Sequence, residues 1–160
     1  MIKKIGILFL VLLNIGCDQL SKNAVRTHVS PKDYIEVVSD HLILTNVENT
    51  GAMLGFGANL SPILKVIFLQ LLPIIVLSIL LFRILQRSTM NKWMVIAFSC
   101  VIGGGMGNII DRIAYGSVTD FFYIKLGVFQ TGIFNMADVS VTMGTILILF
   151  LSLRNSKFEM

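Results

Sequence analysis

The stretch G-G-G-M-G-N-I-I-D-R, Gly103–Arg112, decides how the chain is read. It closes an apolar window that begins at Trp93. After it, V-T-D-F-F (Val118–Phe122) and F-N-M-A-D (Phe134–Asp138) interrupt sequence otherwise apolar enough to live in a membrane. Gly103 and Gly107 have the small-xxx-small spacing that lets a neighbouring helix approach closely. Packing explains the glycines but not Asn108, Asp111 and Arg112 behind them, because polar and ionisable groups at membrane depth are costly and tend to be functional.

Outward from that stretch, the chain of 160 residues is 55% hydrophobic and only 14% charged, with a mean hydropathy of +0.83. Soluble domains carry about 25% charged residues, so the composition points to one membrane domain. Four windows approach the roughly 20 apolar residues that cross a bilayer, at about 5–22, 63–85, 93–111 and 134–153. The expected fold is an all-α integral membrane protein of four transmembrane helices. Lys3 and Lys4 before Ile5–Leu13 also fit the start of a cleaved export signal, and L-L-N-I-G-C resembles the end of a lipoprotein signal. Asn14 stands where that signal has an aliphatic residue and three further spans follow, which favours a retained first helix.

Basic residues near membrane segments mark the cytoplasmic side. With the N-terminus inside, Lys3, Lys4, Arg83, Arg87, Lys92, Arg154 and Lys157 lie on that side with Glu159, and the other acids lie opposite. Both termini are then expected in the cytoplasm. The pI near 9.3 reflects this orientation; no basic stripe interleaved with aromatics suggests a nucleic-acid partner. Cys17 and Cys100 have no metal or disulfide spacing.

Residues 30–60, between the first two helices, form the long polar interval. Tyr34–Val38 and Leu42–Val47 are rich in β-branched and aromatic residues around Ser39-Asp40-His41, which predicts an extracytoplasmic hairpin or small sheet. Such an edge can take up an extended peptide. Asn49-Thr50-Gly51-Ala52 and Gly55-Phe56-Gly57 then supply turns. Pro62 fits the first turn of the second helix, and Pro73 predicts a kink within it.

Asp120 and Asp138 are the candidate catalytic pair. Asp120 follows the turn Tyr115-Gly116-Ser117 in a short hydrophobic stretch. Asp138 lies three residues after Asn135, where it also fits the first turn of a helix capped by that asparagine. Two neighbouring carboxylates tend to share a proton, which supplies a base to activate water and an acid to polarise a peptide carbonyl. Neither metal nor cofactor is required. Asn108, Asp111 and Arg112, at i, i+3 and i+4, share a helical face; they fit a helix-end ion-pair network or a direct substrate role, and are expected to orient the pair. Asp18 and Lys22 form an i, i+4 pair at the end of the first helix, read as a structural ion pair or as a contact to a lipid headgroup or substrate. There is no H-E-x-x-H and no G-x-S-x-G. A proton-coupled carrier is the alternative, but the acids gather on one side instead of deep within the spans.

In D-Q-L-S-K (Asp18–Lys22), N-T-G-A (Asn49–Ala52), G-N-I-I-D-R, V-T-D-F and F-N-M-A-D, the chain resembles the lipoprotein signal peptidases, or signal peptidases II, over nearly its whole length. Met53 and Leu54 depart from the small and aromatic residues usual there. The resemblance implies an aspartic endopeptidase of the bacterial inner membrane, without cofactor. It cuts diacylglyceryl-modified prolipoproteins N-terminal to the lipidated cysteine, with its site toward the outer face. It also implies catalysis by Asp120 and Asp138, with support or substrate contact from Asn49, Gly51, Asn108, Asp111, Arg112, Asn135, Asp18 and Lys22. Implied partners are lipidated prolipoproteins, membrane lipids and globomycin-type inhibitors, with the chain acting as a monomer.

Overall fold

A computed structural model describes residues 2–87 and 89–156, with side chains described for 4–87 and 89–154. Lys157, Glu159 and the Lys3 side chain lie outside the described residues. Among the described residues, four helices are long and apolar enough to cross a membrane: α1 (Ile2–His28), α2 (Pro62–Gln86), α3 (Lys92–Tyr115) and α4 (Met136–Ser156). Their surface is inside-out relative to a soluble bundle. On α1, Leu20 is 72% exposed while Asp18 and Lys22 are fully buried. That pattern suits a solvent of lipid, where apolar side chains face outward and charges survive by pairing within the protein.

Helix α3 is the axis of the bundle, and its glycines explain why. A Cβ on Gly103 would come within 2.5 Å of Asn14 on α1, on Gly104 within 2.5 Å of the Ala137 carbonyl oxygen on α4, and on Gly105 within 2.7 Å of Leu77 on α2. Each missing methyl therefore admits a different helix, so the run serves three contacts where the sequence spacing implied one. Asn14 and Ser140 add an α1–α4 hydrogen bond of 2.5 Å. Ile7, Val11, Leu77, Ile84, Val95, Ile102 and Ile109 fill the space between.

Pro73 cannot donate a backbone bond. A π-helical turn, Ile67–Leu71, precedes it within α2 and widens the helix where regular bonding is about to fail. Gln70 in that turn donates to the Arg112 carbonyl at 3.3 Å.

At one end of the bundle sits a four-stranded antiparallel sheet, ordered β1 (Ile35–Val38), β2 (Leu42–Asn49), β3 (Val118–Leu126) and β4 (Phe129–Gln130). The first two strands are the expected hairpin. The other two, not expected from the sequence, come from the α3–α4 connection, so Asp120 stands on a strand. Helix α1 also continues to His28, past the expected end near residue 22, because acids on α1 and α3 compensate Lys22 and Arg26.

Candidate active site

Helix α3 stops at Gly116, whose left-handed backbone (φ 74°) returns its N–H to the Arg112 carbonyl at 3.1 Å. The chain then turns into β3. Pairing with β2 sets Asp120 opposite Val47, next to a register shift between Leu44 and Val47. From the other side, the amides of Phe121 and Phe122 both donate to the Phe134 carbonyl, at 3.0 and 2.8 Å. Phe134 therefore delivers its neighbour Asn135 to the Asp120 carboxyl. Asn135 Nδ2 donates to Asp120 Oδ1 at 2.6 Å and Asn49 Nδ2 to Asp120 Oδ2 at 3.0 Å. Only 4% of Asp120 is exposed. Burial pushes its carboxyl up to about 6, opposed by the two amide donors and assisted by the charge of Asp138.

Asn135 and Asp138 form a capping box at the start of α4. The Asp138 amide donates to Asn135 Oδ1 at 3.0 Å and the Asn135 amide to Asp138 Oδ2 at 3.2 Å, satisfying two N–H groups a helix start leaves free. The remaining carboxylate oxygen, Oδ1, accepts from Asn108 Nδ2 at 2.8 Å. Asn135 thus caps one aspartate and grips the other.

Behind Asn108 lies a buried ionic cluster. Lys22 Nζ donates to Asp18 Oδ2 at 2.8 Å and to Asn108 Oδ1 at 2.9 Å, and lies 3.1 Å from Asp111 Oδ2. Arg26 pairs with Asp111 at 2.9 Å and donates to Thr119 at 2.7 Å, and Thr119 donates to Glu48 at 2.7 Å. Gln19 joins Asp18, Asp111 and the Gly107 carbonyl. Asp18 Oδ1 takes the Ala137 N–H at 2.9 Å, so α1 also caps α4. Full burial of Lys22 removes the lipid-headgroup alternative: the ammonium points into the protein, where carboxylates compensate it.

Arg112 Nη2 donates to the Gly51 carbonyl at 2.8 Å, and Gly51 donates its own N–H to Asn49 Oδ1 at 2.9 Å. A Cβ on Gly51 would lie 2.6 Å from the Gly55 carbonyl oxygen, so this tight loop requires glycine. In front of it opens a cavity of about 500 Å³. Asn49, Asn108, Arg112, Asp120, Asn135 and Asp138 form its polar wall, and mainly apolar residues of β3, α4, the Met53–Gly55 turn and the 131–134 segment line the rest. Met53 and Leu54, which line it and are exposed at 83% and 74%, make an apolar lip. Two carboxyls with amide and guanidinium donors in a half-apolar cleft suit hydrolysis of a peptide bond.

Residues 10–154 match the family model described as signal peptidase (SPase) II. The chain belongs to the signal peptidase II family. The lipoprotein signal peptidase of Syntrophus aciditrophicus (strain SB) is 31% identical over 146 residues, 90% of this chain and 91% of that protein. The lipoprotein signal peptidase of Staphylococcus aureus is 33% identical over 139 residues, 87% and 82% of the two chains. Two solved structures titled as bacterial membrane enzymes share the fold. One has a TM-score of 0.86 at 30% identity over 97% of this chain and 92% of its own, and the other 0.81 at 31% over 92% of each. Signal peptidase II is a protease family, and with four helices suited to spanning, this member is a multi-pass bacterial membrane protein.

In this signal peptidase II fold the cavity gathers Asn49, Asn108, Arg112, Asp120, Asn135 and Asp138. Gly51 stands behind it, holding Arg112. Asp18, Lys22 and Asp111 lie behind the wall and do not line it. Asp111 turns to α1 while Arg112 turns to the β2 loop, so the face they were expected to share divides between partners. Gln19, Arg26, Thr119 and Glu48 were not singled out from sequence. Arg26 carried a signal, since it follows Asp18 and Lys22 at the same spacing of four.

Proposed function

We propose that this chain is an aspartic endopeptidase that removes signal peptides from diacylglyceryl-modified bacterial prolipoproteins, cutting N-terminal to the lipidated cysteine. The observation that carries the reading is the joint attachment of Asp120 and Asp138 to Asn135 at one cavity. In the proposed reaction Asp138 takes a proton from water as its oxygen attacks the scissile carbonyl carbon. Protonated Asp120 gives its proton to the carbonyl oxygen, forming a gem-diol. Asp138 then returns its proton to the departing amine as the C–N bond breaks, and Asp120 recovers a proton from the diol, leaving a carboxylic acid. Every proton is returned, and water is the only other reactant.

Arg112 and Asn49, which both line the cavity, are the proposed substrate-backbone contacts. The apolar lip and the apolar residues Val139, Val141 and Met143 of α4 along the cavity suit the diacylglyceryl chains. A globomycin-type cyclic peptide would compete for the same cleft. Topology supports an outer-face site and cytoplasmic termini: Lys4, Arg83, Arg87, Lys92 and Arg154 lie at the bundle end opposite the sheet. We take the chain as a single peptidase domain that works as a monomer, since the cavity is lined by residues of this one chain.

The test is cleavage by the purified chain of one prolipoprotein with and without its diacylglyceryl group, with product masses read at both ends. The reading predicts a new N-terminal lipidated cysteine from the first substrate only. A cut elsewhere, or equal cutting of both, would refute it.

A further inference from the structure

We propose that Lys22 is a positioning residue for the peptidase reaction: from behind the site, it fixes which way the Asn108 amide points and so presents an N–H to Asp138. This rests on the reading of Asp138 as a reacting group. An ammonium has three protons to donate and no lone pair to accept with. Lys22 Nζ, fully buried, meets three oxygens: Asp18 Oδ2 at 2.8 Å, Asn108 Oδ1 at 2.9 Å and Asp111 Oδ2 at 3.1 Å. The Asn108 atom facing it has to be oxygen. Its Nδ2 is then directed to the opposite side, where it donates to Asp138 Oδ1 at 2.8 Å. Asn135 Nδ2 donates to the same Asn108 oxygen at 3.2 Å, consistent with one amide orientation.

A purely structural clamp would need less. Asp18 and Asp111 already tie α1 to α3 through the ammonium, and Asp18 separately caps α4 at Ala137. The third bond, to Asn108, contributes nothing obvious to that clamp but gives polarity to an amide that touches the reacting pair. Without the cation, rotation of the amide would set Oδ1 against the Asp138 carboxylate, lone pair against lone pair.

The experiment compares Lys22→Met, Asn108→Ala and the double variant on lipidated prolipoprotein, with folding followed by thermal melts in micelles. Lys22→Met is expected to lower kcat roughly 10- to 100-fold, the range for losing a group that orients a reacting one. KM should move less than about 3-fold, since the cavity wall is intact. The double variant should be no slower than Asn108→Ala alone. Should Lys22→Met not fold, Asp18→Asn/Lys22→Met keeps the buried pair neutral and an oxygen for the Ala137 N–H, and the same kcat loss is expected. Wild-type kcat with a lowered melting temperature, multiplying losses in the double variant, or no folded protein from either form would each overturn the proposal. Full turnover by Asp138→Asn would instead overturn the dyad reading itself, so the two failures are distinguishable.

Discussion

Asn135 Nδ2 donates to Asp120 Oδ1 at 2.6 Å from the same amide whose oxygen caps the Asp138 N–H. One side chain thereby holds a strand carboxyl and a helix-start carboxyl in register. Asn135→Ser separates the two jobs, because serine keeps a cap acceptor and loses the donor to Asp120. Loss of that donor to buried Asp120 should cost about 1–3 kcal/mol while turnover falls roughly 10- to 100-fold; Asn135→Ala should lose about 1 kcal/mol more, with the cap. Thermal melts paired with cleavage rates on each variant make the comparison.

The raised Asp120 carboxyl predicts a pH effect on activity. As the proposed acid it has to be protonated, so kcat/KM should fall as pH rises through about 6. In the complex the lipidated peptide displaces water from the cleft, so the corresponding limb of kcat should lie at higher pH. Rate profiles at low and saturating substrate measure both.

The same group predicts a stability effect of opposite sense to an ion-paired aspartate. Its pKa is higher folded than unfolded, so its contribution is complete below about 4 and is lost as pH rises through about 6. Asp120→Asn should therefore gain on wild type by about 2 kcal/mol between roughly pH 4.5 and 7.5. Melting temperatures of the pair across that range provide the measurement.

Gly107→Ala tests the close approach of α1 and α3. A Cβ there would stand 2.5 Å from Asp18 Oδ2, the oxygen that pairs with Lys22, on a carboxylate whose other oxygen, Oδ1, caps α4. Destabilisation of about 1–3 kcal/mol is expected, with activity falling further than the stability loss alone explains. Melts and initial rates of the folded fraction distinguish the two.

Much of the site was legible along the chain, because Asp138 and Asn135 are local: N-x-x-D before an apolar run is a helix start wherever it folds. The Asp18–Lys22 pair was legible for the same reason, but its burial was not, since that depends on Asp111 and Asn108 more than 80 residues away. Strand β3 was not anticipated, although Val118-Thr119-Asp120-Phe121-Phe122-Tyr123-Ile124 is rich in β-branched and aromatic residues. Its partner β2 lies across two helices, and no local pattern specifies that pairing. The three faces of the Gly103–Gly107 run were hidden too, because spacing says that a helix approaches but not how many do.

The central claim, that Asp120 and Asp138 act together on one peptide bond, is tested most directly by cleavage of lipidated prolipoprotein with Asp120→Asn and Asp138→Asn, each shown to be folded. The account predicts a loss of at least about 1,000-fold in both and no further loss in the double variant, as expected of groups that work as a unit. Near-normal turnover by either folded single variant would contradict it.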